Sequence, residues 1–280
     1  MKITECPRDA IQGIKNFIPT EVKIKYINSL LQVGFDTIDF GSFVSENTIP
    51  QLKDTDIVIQ NLDLSETKTK LLSIVANNRG ANVACSFDAI DYLGFPLSVS
   101  ENFQLRNTNK SISDAIKLVE EMQSLVFNNN KELLIYISMS FGNPYGERYH
   151  PDIVAELVKK LNELDINYVS LADTIGVSNA GNIKPLFKTL IHEFPNIEFG
   201  AHFHSRYSES KEKIISAYES GCRKFDSTIN GFGGCPMAND NLVGNIPTEE
   251  IIAIFNNLEI NNDKFKISAL EFDNVISSIS

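Results

Sequence analysis

A (β/α)8 TIM barrel forming a single domain is the fold class that this 280-residue sequence predicts, and three observations predict it. Eight short β-branched or apolar runs alternate with stretches of helical spacing, the pattern of parallel strands joined by helical crossovers. The length suits one α/β barrel of about 250 residues with a short addition. No low-complexity tract, charge run or Pro/Ser-rich linker marks a boundary between two domains.

The eight strand candidates are residues 3–5, 37–40, 71–75, 92–99, 133–138, 168–172, 197–202 and 224–229. A helix is predicted over 111–127, where Ile112, Ile116, Val119, Met122 and Val126 recur at three- and four-residue intervals behind a Ser111/Asp114 capping box. Pro151 suits a first helical turn, and Ile153, Val154, Leu157, Val158, Leu161 and Leu164 form one stripe behind it. A helix over 209–220 ends at Gly221, a C-cap residue. A short helical extension over 260–280, centred on 267–276, completes a catalytic domain spanning 1–280. A doubly wound open sheet is the second architecture, disfavoured because no Gly-rich fingerprint follows the first strand.

Composition narrows the function. With 36 acidic against 25 basic side chains the net charge is -11, which argues against a sequence-independent grip on nucleic acid. No run approaches the length of a membrane span, and the N-terminus has neither a basic n-region nor an apolar h-region, so a cytoplasmic protein without membrane contact is expected. The four cysteines are read as free thiols.

In a barrel of this kind the chemistry collects at the C-terminal ends of the strands. The first strand ends in Cys6-Pro7-Arg8-Asp9, followed by Gln12; taken alone, Arg8-Asp9 reads as a surface ion pair. The seventh carries His202 and His204, whose side chains, two apart on a strand, face the same way as a chelating pair. A hydrogen-bonded core histidine is the competing reading. No cysteine cluster or third histidine indicates zinc, because His150 and His192 fall on or beside helices. Oxygens from Asp9 and an amide such as Asn245 would complete a mixed site suited to Mg or Mn. Gly231, Gly233 and Gly234 fall within four residues and predict a mobile loop outside any packed element, with Cys235 at its tip.

These motifs resemble, in order, those of the 3-hydroxy-3-methylglutaryl-CoA lyase family. The resemblance rests on Arg8-Asp9 with Gln12, Ser42-Phe43-Val44-Ser45, Leu171-Ala172-Asp173-Thr174-Ile175-Gly176, His202-x-His204, and Gly231-Phe232-Gly233-Gly234-Cys235-Pro236 through Gly244-Asn245. It covers residues 5–259 and implies a divalent cation, Mg or Mn, held by Asp9, His202, His204 and Asn245. It implies that Arg8 stabilises a thioester enolate, that Cys235 delivers or relays a proton, that Gln12 supports the site and that Asp173 lies close to the substrate. Asp39 stands where the family usually has glutamate, one methylene longer, as an acid/base residue at the end of strand two. Asn143 replaces a usual cysteine, Ser205-Arg206 a usual Asp-Thr, and Ala10 a glycine. The substrate implied is a small-molecule acyl-CoA, cleaved by a retro-Claisen reaction to acetyl-CoA and acetoacetate, in a homodimer or other homo-oligomer. The alternatives are a related aldolase or Claisen-type synthase acting on another 3-hydroxy acyl-CoA or 2-oxo acid, and a non-catalytic paralogue.

Overall fold

The computed structural model describes residues 1–234, 243–255 and 258–279. Eight parallel strands close into a barrel: β1 (Lys2–Glu5), β2 (Thr37–Ser42), β3 (Lys70–Ile74), β4 (Tyr92–Ser98), β5 (Glu132–Ser138), β6 (Tyr168–Asp173), β7 (Glu198–Ser205) and β8 (Lys224–Ser227). Each strand pairs with its sequence neighbours, and the β1–β8 ladder joins the two ends of the chain. All eight predicted runs become strands. The seventh extends to Ser205, beyond the predicted 197–202, because Phe203 still pairs with Asp173 on β6 and His204 and Ser205 pair with Asn245 and Gly244. A two-residue strand, β9 (Gly244–Asn245), adds antiparallel to β7 and sets Asn245 opposite His204.

Eleven helices occur among the described residues. They are α1 (Pro7–Ile11), α2 (Thr20–Leu30), α3 (Thr55–Gln60), α4 (Asn78–Cys85), α5 (Glu101–Thr108), α6 (Ile112–Asn128), α7 (Pro151–Glu163), α8 (Ala180–Glu193), α9 (Tyr207–Glu219), α10 (Thr248–Ile254) and α11 (Asn262–Ser277). The predicted caps form: the Asp114 backbone N–H donates to Ser111 Oγ at 3.1 Å, satisfying a donor that the first turn of α6 leaves unpaired. His150 caps α7 ahead of Pro151, and Gly221 follows α9 with φ +102°.

Strand parity divides the side chains into two sets. On β7, Phe199, Ala201 and Phe203 face the helices and join the large core cluster, while His202 and His204 face the barrel interior. Leu72, Tyr92, Leu134 and Tyr136 make a separate small apolar cluster inside the barrel. Polar residues fill much of the remaining interior, which is where a site can form.

The extension packs α11 against α2, with the Phe272 and Tyr26 rings 5.5 Å apart. Phe232, within the glycine-rich stretch, also rests on Phe272, at 5.3 Å. Replacing the fully buried Phe272 by alanine is expected to lower unfolding free energy by about 3–5 kcal/mol in urea titrations, since the helix contact and the Phe232 support are lost together.

Candidate active site

At the C-terminal ends of the strands the barrel opens into a cavity of about 180 Å³, lined by Arg8, Asp9, Ser42, Tyr136, His202 and His204 among others. Arg8 and Asp9 lie on α1, a single turn that begins immediately after β1 and buries both side chains. Pro7 fixes the first φ of that turn and removes a donor that would have no partner.

Asp9 is the meeting point. Its Oδ1 accepts from Arg8 at 3.0 Å and from Gln12 at 2.5 Å, and its Oδ2 accepts from Asn245 Nδ2 at 2.8 Å. Burial works against its charge, but Arg8 and the two histidines outweigh burial and hold the carboxyl below the usual range. Arg8 is gripped from the other side by Asp39, whose carboxylate receives Nε at 3.0 Å and NH2 at 2.5 Å. Burial opposes the guanidinium charge as well, yet the two carboxylates hold it cationic. Burial pushes Asp39 up to about 6, with Arg8 pulling downward, so Asp39 is ionised at neutral pH.

The histidines are oriented from behind. His202 Nδ1 lies 3.1 Å from Asp226 Oδ2, and His204 Nδ1 lies 2.9 Å from the Thr174 carbonyl. Each contact fixes the tautomer with Nδ1 protonated, leaving the Nε2 lone pair free, the outer-shell arrangement of imidazoles that bind metal. Burial lowers the His202 pKa but Asp226 outweighs it and raises the value; burial and the neighbouring His202 lower His204. His204 Nε2 is buried without a hydrogen-bond partner among the described residues. Ligand atoms of Asp9, His202 and His204 all lie within 4.8 Å of one another. An orphaned imidazole nitrogen beside a carboxylate in a mixed N/O cluster fits a divalent cation. Asn245 adjoins the trio through its bond to Asp9; as a ligand it would present Oδ1, which a half-turn of the amide exchanges with Nδ2.

Several expected residues fall elsewhere. Asp173 does not line the cavity, although its neighbours Ala172 and Thr174 do. Parity sends it toward the helices, where it accepts from the Val177 and Ser178 amides and from Lys213 Nζ at 2.8 Å. Asp39 is likewise absent from the lining, and both of its oxygens bond Arg8, where they orient the guanidinium. Gln12 bonds both Arg8 and Asp9 and lines the cavity. Cys235 lies outside the described residues.

The expectation that the glycine run avoids packed structure is corrected for Gly231, Gly233 and Gly234. A Cβ on Gly233 would come within 2.7 Å of the Asp9 carbonyl, and one on Gly231 within 2.8 Å of the Asn245 carbonyl. Both also have positive φ, so they are glycines because backbone approaches backbone there. Sequence reasoning missed Asp226 and Tyr136, whose ring stands edge-on to His202 at 5.5 Å. A lone carboxylate within the apolar run 224–229, on the inward parity, was the available signal for Asp226.

Lys213, on α9, is almost fully buried and also donates to the His204 carbonyl at 2.8 Å and to Gly176 O at 3.2 Å. Lys213→Met removes one half of the buried pair and leaves Asp173 charged and uncompensated. Its expected effect is a loss of about 3–5 kcal/mol in denaturant unfolding.

Comparison with known proteins agrees with this geometry. The family model described as HMGL-like matches residues 3–273. The cytoplasmic 3-hydroxy-3-methylglutaryl-CoA lyase of Rattus norvegicus is 32% identical over 262 residues, covering 93% of this chain and 76% of the relative. Hydroxymethylglutaryl-CoA lyase YngG of Bacillus subtilis (strain 168) is 31% identical over 254 residues, covering 91% of this chain and 84% of the relative. The solved HMG-CoA lyase from Acenitobacter baumannii, in complex with coenzyme A and 3-methylmalate, superposes with a TM-score of 0.91 at 27% identity, covering 99% of this chain and 91% of that one. With a model match over nearly its whole length, relatives above 30% identity and the closed barrel they imply, this chain belongs to the HMGL-like family.

Proposed function

We propose that the chain is a carbon–carbon lyase that cleaves 3-hydroxy-3-methylglutaryl-CoA to acetyl-CoA and acetoacetate with a divalent cation, Mg or Mn, held by Asp9, His202, His204 and Asn245. The observation that carries the reading is the convergence of Asp9, His202 and His204 beside a buried, doubly anchored Arg8 in one cavity. Relatives named as lyases of this substrate support the choice of reaction.

When bound, the cation supplies the Lewis acidity that lowers the pKa of a substrate hydroxyl. The remaining work belongs to the chain. A general base takes the hydroxyl proton, the hydroxyl oxygen becomes the ketone carbonyl of acetoacetate as the carbon–carbon bond breaks, and that bond's electron pair passes to the thioester fragment as an enolate. Arg8, fixed by Asp39 and Asp9 before the substrate arrives, presents its charge to that oxygen at no cost in reorganisation. Asp226 and the Thr174 carbonyl keep both Nε2 atoms turned inward. Cys235 is assigned the proton that converts the enolate to acetyl-CoA.

The reading extends to one catalytic unit over residues 1–280, a cytoplasmic setting and a homo-oligomer. Among the described residues no helix is long and apolar enough to cross a membrane. Size-exclusion chromatography with light scattering tests the assembly, and a monomeric mass at assay concentration overturns that part.

The direct test is product analysis: protein stripped by chelator and then given Mg or Mn should release acetyl-CoA and acetoacetate in equal amounts from this thioester. Absence of cleavage in the metal-supplied protein overturns the proposal. Arg8→Gln should lower kcat by about 10²-fold or more, as loss of an oxyanion partner does. Asp226→Asn should weaken Mn binding by about 10–100-fold while leaving the fold intact by circular dichroism.

A further inference from the structure

Glu5 stands on the outer face of β1, on the opposite parity from the barrel interior, and is fully buried. No cation among the described residues pairs with it: its partners are the Ile229 backbone N–H, at 2.9 Å from Oε1, and the Thr248 hydroxyl, at 2.5 Å from Oε2. Thr248 continues to Ser227 Oγ at 2.8 Å. Ile229 is where the chain leaves β8, and Thr248 opens α10, three residues after Asn245. One carboxyl group therefore bridges the two roots of the segment that carries the glycine run and Asn245.

The backbone closes the same junction. Thr228 N–H donates to Ile246 O, and Thr248 N–H donates to Thr228 O, each at 3.0 Å. Beyond the junction, Asn245 reaches Asp9, and Gly233 lies against the Asp9 carbonyl. We infer that Glu5 is a positioning residue that clamps both roots of this segment to β1 and so holds Asn245 against Asp9 and His204. The inference rests on the metal reading of that cluster.

The state of the carboxyl matters to the clamp. Burial, with a smaller push from the like charge of Glu249 on α10, raises Glu5 to about 8, so it is neutral at pH 7. The other titratable group facing it is Tyr26 on α2, itself pushed upward by burial and uncharged. A neutral Glu5 satisfies every partner: Oε1 accepts from Ile229, and Oε2–H donates to Thr248, whose own proton goes to Ser227. An ionised Glu5 can only accept, so Thr248 must turn its hydroxyl to Glu5 and release Ser227. Glutamine copies the neutral form, with Oε1 accepting and Nε2 donating. Because the folded value lies above the unfolded one, the stabilisation is fully present below about pH 4.5 and is lost as pH rises through about 8.

Two readouts test the clamp on the whole chain: Mg binding followed by thermal shift, and hydrogen exchange of the backbone amides in 228–232 and 244–248. Glu5→Ala should bind Mg at least about tenfold more weakly and exchange faster in those two stretches, with exchange elsewhere unchanged. Glu5→Gln should match the wild type in both at pH 7. Between pH 7 and 9 the wild type should lose Mg affinity and protection relative to Glu5→Gln, a comparison that decides the matter even if Glu5→Ala does not fold. Wild-type affinity and protection in Glu5→Ala, or parallel pH profiles for wild type and Glu5→Gln, overturn the clamp. Failure of the wild type to bind Mg or Mn counts against the metal reading, and hydrogen exchange then decides the clamp by itself.

Discussion

Successive side chains on a strand point to opposite faces, and that alternation determines what each polar residue in this barrel can do. On β7 it turns His202 and His204 into the cavity while Phe199, Ala201 and Phe203 bury against the helices. On β8 it brings Asp226 behind His202, and on β6 it sends Asp173 outward to Lys213. On β1 it puts Glu5 outside the barrel wall, although Arg8 and Asp9 in the next turn face inward. A one-residue slip of any of these strands would exchange the two sets, which the apolar outer face prevents by its burial.

The electrostatics of the cavity follow from that placement. Asp9, Asp39 and Asp226 converge where, among the described residues, Arg8 alone supplies a fixed positive charge. Buried carboxylates without compensation are costly, and a divalent cation among Asp9, His202 and His204 would balance the remainder. The same arrangement explains why Asp39 serves despite being a short side chain. It needs only to reach Arg8, and its two oxygens meet the guanidinium fork from behind, which fixes the direction in which the charge is presented.

The strand positions, the principal caps and the Asp9–His202–His204 cluster were legible in the sequence because each depends on local pattern or on period-two spacing. Adjacency in a motif says nothing about parity: Ala172 and Thr174 line the cavity, while Asp173 between them turns to Lys213. The glycine run was misread as freedom, whereas Gly231 and Gly233 mark close passage of backbones distant in sequence. Asp226 and Glu5 were overlooked because their partners lie on other elements, His202 on the neighbouring strand β7 and Thr248 at the start of α10, which only barrel closure brings to β1. The strand β9 is two residues long and has no periodicity to detect, yet it sets Asn245 opposite His204.

The net charge of -11 retains its significance, since an anionic thioester must enter against it; a bound cation and Arg8 would then have to supply the local attraction that the whole molecule does not. The central claim, that strand parity assembles a metal centre here, is tested most directly by anomalous diffraction from crystals grown with Mn. The account predicts one strong peak within coordination distance of Asp9, His202, His204 and Asn245. A peak elsewhere, or none at saturating Mn, would contradict it.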